Sequence, residues 1–127
     1  MTIPIRDPLV EIVIGCAIEV HRALGPGLLE SAYDRCLSYE FVLRGVRFIH
    51  QAPIPVMSKD LRIECGYRAD YIIDGSLVLE LKAVEHVLPI HQAQVITYGK
   101  LMKVNRALLI NFNVTRLVDG VKSFLIS

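Results

Sequence analysis

The hydrophobic period of this chain switches between 3.6 and 2, and the places where it switches restrict the fold more than any other feature. From Pro8 to about Arg44 apolar residues recur at helical spacing. After Gly45 they alternate as in strands, helical spacing returns near Leu88, and two strand-like runs close the chain. Helices placed before and within a series of strands predict an α/β sandwich, in the order ααβββαββ.

The boundaries carry their own chemistry. Asp7-Pro8 supplies an N-cap and a first-turn proline, and Leu9, Ile12, Val13, Cys16, Ala17 and Val20 form the stripe that follows. Gly25-Pro26-Gly27 ends that helix. A second is expected from about Leu28 to Arg44, with a stripe of Leu29, Ala32, Tyr33, Cys36, Leu37 and Val42, and Gly45 stops it. Phe48 to Met57 reads as an edge strand, or as a strand with an irregular stretch, because of Pro53 and Pro55. Ile63–Ile73 and Leu77–Ala83 read as better strands. A third helix spans about Leu88 to Val104, entered through Pro89. Ala107–Phe112 reads as a strand buried on both faces, and Val121–Ile126 as the last strand.

Composition excludes several classes. At 127 residues the chain suits one domain, residues 1–127, and 53% hydrophobic with 21% charged residues excludes a disordered chain. The mean hydropathy of +0.44 is high, but no apolar run approaches the roughly 20 residues of a membrane span. Arg6, Asp7 and Glu11 interrupt any secretory signal, so a soluble cytoplasmic protein is expected. Cys16, Cys36 and Cys65 lack the spacing of a zinc site or disulfide framework and read as small buried hydrophobes. Residues 1–82 hold nine Lys/Arg against eleven Asp/Glu, whereas residues 83–127 hold five against two. The basic C-terminal third is either a phosphate-facing surface or a solvated face.

The strand pair around Asp74-Gly75 allows a register argument. With a two-residue turn, Asp70 would face Leu79 and each face would mix polar with apolar groups. A three-residue loop, Asp74-Gly75-Ser76, instead sets Ile73 against Leu77, Tyr71 against Leu79 and Ala69 against Leu81, a coherent apolar face. Asp70 then lies opposite Glu80 on the other face, with Lys82 beside them. Facing carboxylates need a cation between them. Lys82 could serve in part, and a divalent metal with oxygen ligands more fully.

Asp70 followed by Glu80-Leu81-Lys82 resembles the D…(D/E)xK core of the PD-(D/E)XK nuclease superfamily, with Ala69 where the name has proline. Gly27-Leu28-Leu29-Glu30-Ser31-Ala32-Tyr33 resembles the motif of the GxxExxY family within it, and Gln94-Val95-Ile96-Thr97-Tyr98 resembles the QxxxY motif of RecB-like nucleases. The resemblance runs from about His21 to Asn113. It implies a restriction-endonuclease-like three-layer sandwich, a mixed central sheet flanked by helices. It also implies that Glu30, Asp70, Glu80 and the Leu81 carbonyl hold Mg²⁺ or Mn²⁺, that Lys82 positions the attacking water, and that Gln94 and Tyr98 steer the substrate backbone or the lysine. Tyr33, one turn from Glu30, would support it, and the helix dipole would favour ionised Glu30.

Each residue also has a plainer reading. Glu30 can be an ordinary first-turn acid, and Asp70, Glu80 and Lys82 a cross-strand salt-bridge cluster. Tyr33 and Tyr98 can be core residues with hydrogen-bonded hydroxyls, and Gln94 is open between the two. Arg68 either contacts phosphate or offsets local negative charge. His86 and His91 read as loop and helix-start residues rather than ligands, His21 as a C-terminal cap of the first helix, and His50 carries no signal.

Two functions follow. The first is a metal-dependent phosphodiester hydrolase acting on nucleic acid, DNA or RNA. Setting Glu30, Asp70 and Glu80 aside leaves a net charge of +4, a positive surround suited to phosphate. The second is a non-catalytic nucleic-acid- or protein-binding module that keeps the nuclease fold. No aromatic platform for stacking single strands is visible. The small size and high hydropathy suggest a homodimer.

Overall fold

In the computed structural model, which describes residues 7–127, helix α1 (Pro8–Leu24) starts where Asp7 and Pro8 dictate. The Asp7 carboxylate accepts from the N–H groups of Leu9 (2.9 Å) and Val10 (3.3 Å), donors the first turn cannot satisfy internally. Arg6, part of the reading that excluded a secretory signal, lies outside the described residues. Gly25 ends α1 with φ of +70°. Helix α2 runs Glu30–Leu43 and α3 runs Pro89–Leu101.

Five strands form the main sheet, in the order β1 (Phe48–Pro53), β4 (Arg68–Ile73), β5 (Leu77–Lys82), β6 (Arg106–Asn111), β7 (Val121–Leu125). Only β5 and β6 are parallel, because α3 forms the crossover between them, so the sheet is mixed. The expected Phe48–Met57 and Ile63–Ile73 strands each divide in two. Pro53 and Pro55 interrupt the first, and Gly66 at φ +77° the second. The pieces between them, β2 (Val56–Ser58) and β3 (Leu61–Ile63), pair as a separate two-stranded ribbon. A 3₁₀ turn, Leu117–Gly120, leads into β7.

The sheet is covered on both faces, which makes three layers. Tyr71, Ile73, Leu77, Leu79, Leu81, Leu108 and Ile110 pack against α1 and α2. Ile72, Val78, Ala107 and Leu109 pack with Val95 and Tyr98 of α3. Burying each large side chain contributes roughly 1.5–3 kcal/mol. The stripe of α2 is narrower than expected. Tyr33, Leu37 and Phe41 are buried, while Leu29, Cys36 and Val42 point outward, because α2 lies on the sheet along one i, i+4 row. Of the three free cysteines only Cys16 is buried; Cys36 and Cys65 are exposed. Among the described residues, no helix is long and apolar enough to cross a membrane.

Candidate active site

The β4–β5 register follows the three-residue loop: Ile73 pairs with Leu77, Ile72 with Val78, and Tyr71 with Leu79. Asp74 and Gly75 both adopt positive φ, which lets the chain reverse in so short a span. Beyond Tyr71–Leu79 the pairing stops. Ala69 does not face Leu81 as expected; it is buried on the α3 side with Ala52 and Ile54. Here the β1–β4 pairing skips Gln51, whose φ is +54°. The Leu81 N–H is donated instead to Asp70 Oδ2, 2.8 Å away. Where the ladder opens, a carboxylate takes the place of a strand carbonyl.

Glu80 projects from the next position on β5 and is 6% exposed. Its carboxyl is pushed up to about 9, first by desolvation and then by its contact with the Asp70 carboxyl and that group's charge; the Asp70 backbone N–H and then Lys82 offset part of this. Glu80 Oε1 is buried and has no hydrogen-bond partner among the described residues. Such an atom costs roughly 1–3 kcal/mol unless something compensates it. The half-buried Lys82 shares the β5 face of Glu80, at the carboxyl end of the parallel β5–β6 pair.

Glu30 is the first residue of α2. Its carboxyl is pushed up by desolvation and then by Asp70, with Lys82 pulling the other way, so it lies within electrostatic reach of both. The helix dipole alone would have favoured ionisation, and the local environment overrides it. Among the described residues no group of three or more His, Cys, Asp or Glu side chains is arranged to hold one metal ion. Asp70 and Glu80 interact directly, and Glu30 feels the charge of Asp70.

On α3, Gln94 Nε2 donates to the Tyr98 hydroxyl at 3.1 Å. The Tyr98 phenol is pushed up by desolvation and then by the Glu80 charge, which sets it beside the acidic pair. Tyr33 takes the plainer role: its hydroxyl donates to the Gly25 carbonyl (2.6 Å), accepts from the Leu28 N–H (3.1 Å), and its ring stacks on Phe112. Arg68 is exposed and donates to the Gln51 carbonyl at 3.2 Å. His21 does not cap α1; its Nε2 donates to the Val114 carbonyl at 2.8 Å. His91 lies in the first turn of α3 and His86 in the loop before it, as expected.

A model of the PD-(D/E)XK nuclease superfamily matches residues 7–124. The chain belongs to that superfamily. The PD-(D/E)XK assignment agrees with the layered architecture, which is of the restriction-endonuclease type. Nucleases of this superfamily generally use divalent metal ions, and membership suggests metal-dependent action on nucleic acid. No curated protein and no solved structure matches the chain.

The donor set fits such an ion. Asp70 and Glu80 are hard oxygen donors in contact, and Glu80 Oε1 is buried without a partner. Mg²⁺ and Mn²⁺ accept one or two protein carboxylates and complete their shells with water and phosphate oxygens.

Two features escaped the sequence. Asn111 is buried opposite Lys82 in the parallel register. Its side chain accepts from the N–H groups of Val84 (3.0 Å) and Asn113 (3.2 Å) and donates to the Val84 carbonyl (2.9 Å), bracing the chain as it leaves β5. A polar residue inside the apolar run Ala107–Phe112 was the available signal. His50, which carried none, pairs with Asp34 at 2.8 Å. Asp34 also accepts from the Tyr71 hydroxyl at 2.7 Å, and Tyr71 meets Ser38 at 2.6 Å. This network ties α2, one turn beyond Glu30, to the strand residue that follows Asp70.

Proposed function

We infer that the protein is a metal-dependent phosphodiester hydrolase of the GxxExxY branch, working at the open end of the β4–β5 hairpin. The observation that carries this reading is the buried Glu80 Oε1, a cation-ligating oxygen with no hydrogen-bond partner among the described residues, held against Asp70. Glu30, Asp70, Glu80 and the Leu81 carbonyl would hold Mg²⁺ or Mn²⁺. The bound cation would polarise the scissile phosphate and lower the pKa of an attacking water. Lys82 holds that water in line with the leaving oxygen and offsets charge on the phosphoryl group. Tyr98, anchored by Gln94, orients the sugar-phosphate chain. Glu80, whose carboxyl is pushed up to about 9, would have to give up its proton to hold a cation, so binding would tighten as pH rises.

One observation favours the second reading, a binding module without catalysis: no third acidic side chain joins Asp70 and Glu80 in a metal-holding group among the described residues. Calorimetry with Mn²⁺ and Mg²⁺, beside cleavage assays on mixed DNA and RNA, separates the two. Binding and cleavage that both vanish in Asp70→Ala support the nuclease. A wild type that binds no cation, even with nucleic acid present, supports the module.

The reading includes a homodimer. Tyr39, Val42 and Leu43 form an exposed apolar stripe on α2, facing away from the sheet. A monomer in light scattering at micromolar concentration would remove that part.

A further inference from the structure

A groove runs between α3 and the segment joining the β2–β3 ribbon to β4, with a volume of about 410 Å³. We propose that this groove receives an unpaired nucleobase of the nucleic-acid substrate, beside the phosphate held at the hairpin's open end, so that the protein acts on single-stranded or frayed sites rather than on continuous duplex. The proposal rests on the nuclease reading for its ligand class, and on the groove for everything else.

The size falls within the range of small-ligand pockets, roughly 300–1,000 Å³. Tyr67 forms one wall and is 49% exposed although it is a large aromatic. Tyr98 forms part of the opposite wall. The two ring centroids stand 6.4 Å apart at 53°, a tilted pair rather than a stack, and the half-exposed Tyr67 ring leaves surface for a planar ligand. Ile90 and Leu101 add apolar surface. Gln94 and Thr97 supply the polar groups that a base edge requires. With one Gln94 donor engaged by Tyr98, the amide keeps an acceptor and a second N–H for hydrogen bonding.

Continuity with the site decides between a base and other planar or apolar ligands. Tyr67, one wall of the groove, immediately precedes β4, three residues before Asp70 on the same stretch of chain, and Tyr98 forms the wall opposite. A strand whose phosphate sits at Asp70 and Glu80 therefore places a neighbouring nucleotide at the groove mouth. Within a duplex both faces of that base are stacked and its edge is paired; only an unpaired or flipped base can enter. The aromatic platform that the sequence did not disclose is assembled from Tyr67 and Tyr98, far apart in the chain.

The test uses fluorescence anisotropy with short labelled single strands, intact or carrying one abasic spacer at successive positions, in Ca²⁺ and in EDTA. A spacer at one position should weaken binding about tenfold, the scale of one aromatic–base stack, while spacers elsewhere do little. That penalty should disappear in Tyr67→Ala, and in Ala93→Trp, which fills the groove from the exposed face of α3. It should persist in Tyr39→Ala, on the opposite layer. Thermal unfolding of each variant checks its fold. Indifference to the spacer at every position, equal binding by Tyr67→Ala, or no single-strand binding in either medium would overturn the proposal. Metal-dependent cleavage that Tyr67→Ala leaves untouched removes the groove and keeps the nuclease. Base-dependent binding without cleavage in any metal removes the nuclease and keeps the groove.

Discussion

The two ends of the β4–β5 hairpin are built from adjacent residues and have opposite chemistry. At the turn end three consecutive pairs, from Ile73–Leu77 to Tyr71–Leu79, are buried on both faces and fully laddered. One residue further, pairing stops, Asp70 accepts from the Leu81 N–H, and Glu80 lies buried with an unpartnered oxygen. The closed end contributes stability and sets the register. The open end stores an unfavourable arrangement that the closed end holds in place. Polar groups so costly persist only where surrounding structure over-determines them, and sites of chemistry are where such costs recur.

The largest expected effect is at the open end. Asp70→Ala removes a proposed cation ligand and the acceptor of Leu81, so divalent binding should vanish in calorimetry and cleavage should fall by roughly 10³-fold or more. It should also cost about 1–3 kcal/mol of stability in denaturant melts for the orphaned N–H. Asp70→Asn keeps an acceptor, so it should lose the cation but retain most of the stability. If both variants kept the cation, the contrast between the hairpin ends would carry no function.

Next comes Lys82→Met, expected to lower kcat by about 10²–10³-fold in steady-state cleavage assays while the calorimetric affinity for Mn²⁺ changes little. Equal losses in both would make Lys82 part of the cation site.

Glu80→Gln sharpens the comparison through pH. In the folded protein the carboxyl holds its proton up to about 9, whereas the unfolded chain releases it near the ordinary value of 4.5. The stabilising contribution is complete below that lower value and is lost as pH rises toward 9, at up to about 1.4 kcal/mol per pH unit. The metal-free wild type should therefore be more stable at pH 5 than at pH 8. Glu80→Gln should remove most of that slope and be more stable than wild type by on the order of 2 kcal/mol at pH 8. Parallel pH–stability curves would show that Glu80 is ionised in the folded protein.

Smaller effects belong to the closed end and to the network beside it. Tyr71→Phe deletes the hydroxyl that meets Asp34 and Ser38, and should cost roughly 1–2 kcal/mol in thermal melts. Gly75→Ala places a Cβ at φ +68° and should cost about 1 kcal/mol, with cation affinity unchanged.

Local chemistry alone was enough for several elements. Asp7 with Pro8 specified the start of α1, and Gly25 and Gly45 the ends of the first two helices. The alternation in Leu77–Lys82, together with Asp74-Gly75-Ser76, determined the register that places Asp70 near Glu80. These features depend on neighbours a few residues away, so a linear reading reaches them. The superfamily was legible for the same reason: its motif sits on one hairpin.

Tertiary structure decided the rest. Only the packed sheet shows that pairing ends at Tyr71–Leu79 and that Ala69 turns to the α3 side, because these depend on how β1, with its irregular Gln51, pairs with β4. The burial that raises Glu80 comes from residues distant in the chain that pack around β5. Asn111 braces a segment 27 residues away, and Asp34 meets His50 across 16, separations that carry no periodic signal. Tyr67 and Tyr98 share a groove only because the chain leaves the ribbon at Gly66 and returns beneath α3. Sequence periodicity reports which face a residue takes within its own element; which elements meet is settled by the packing of all of them together.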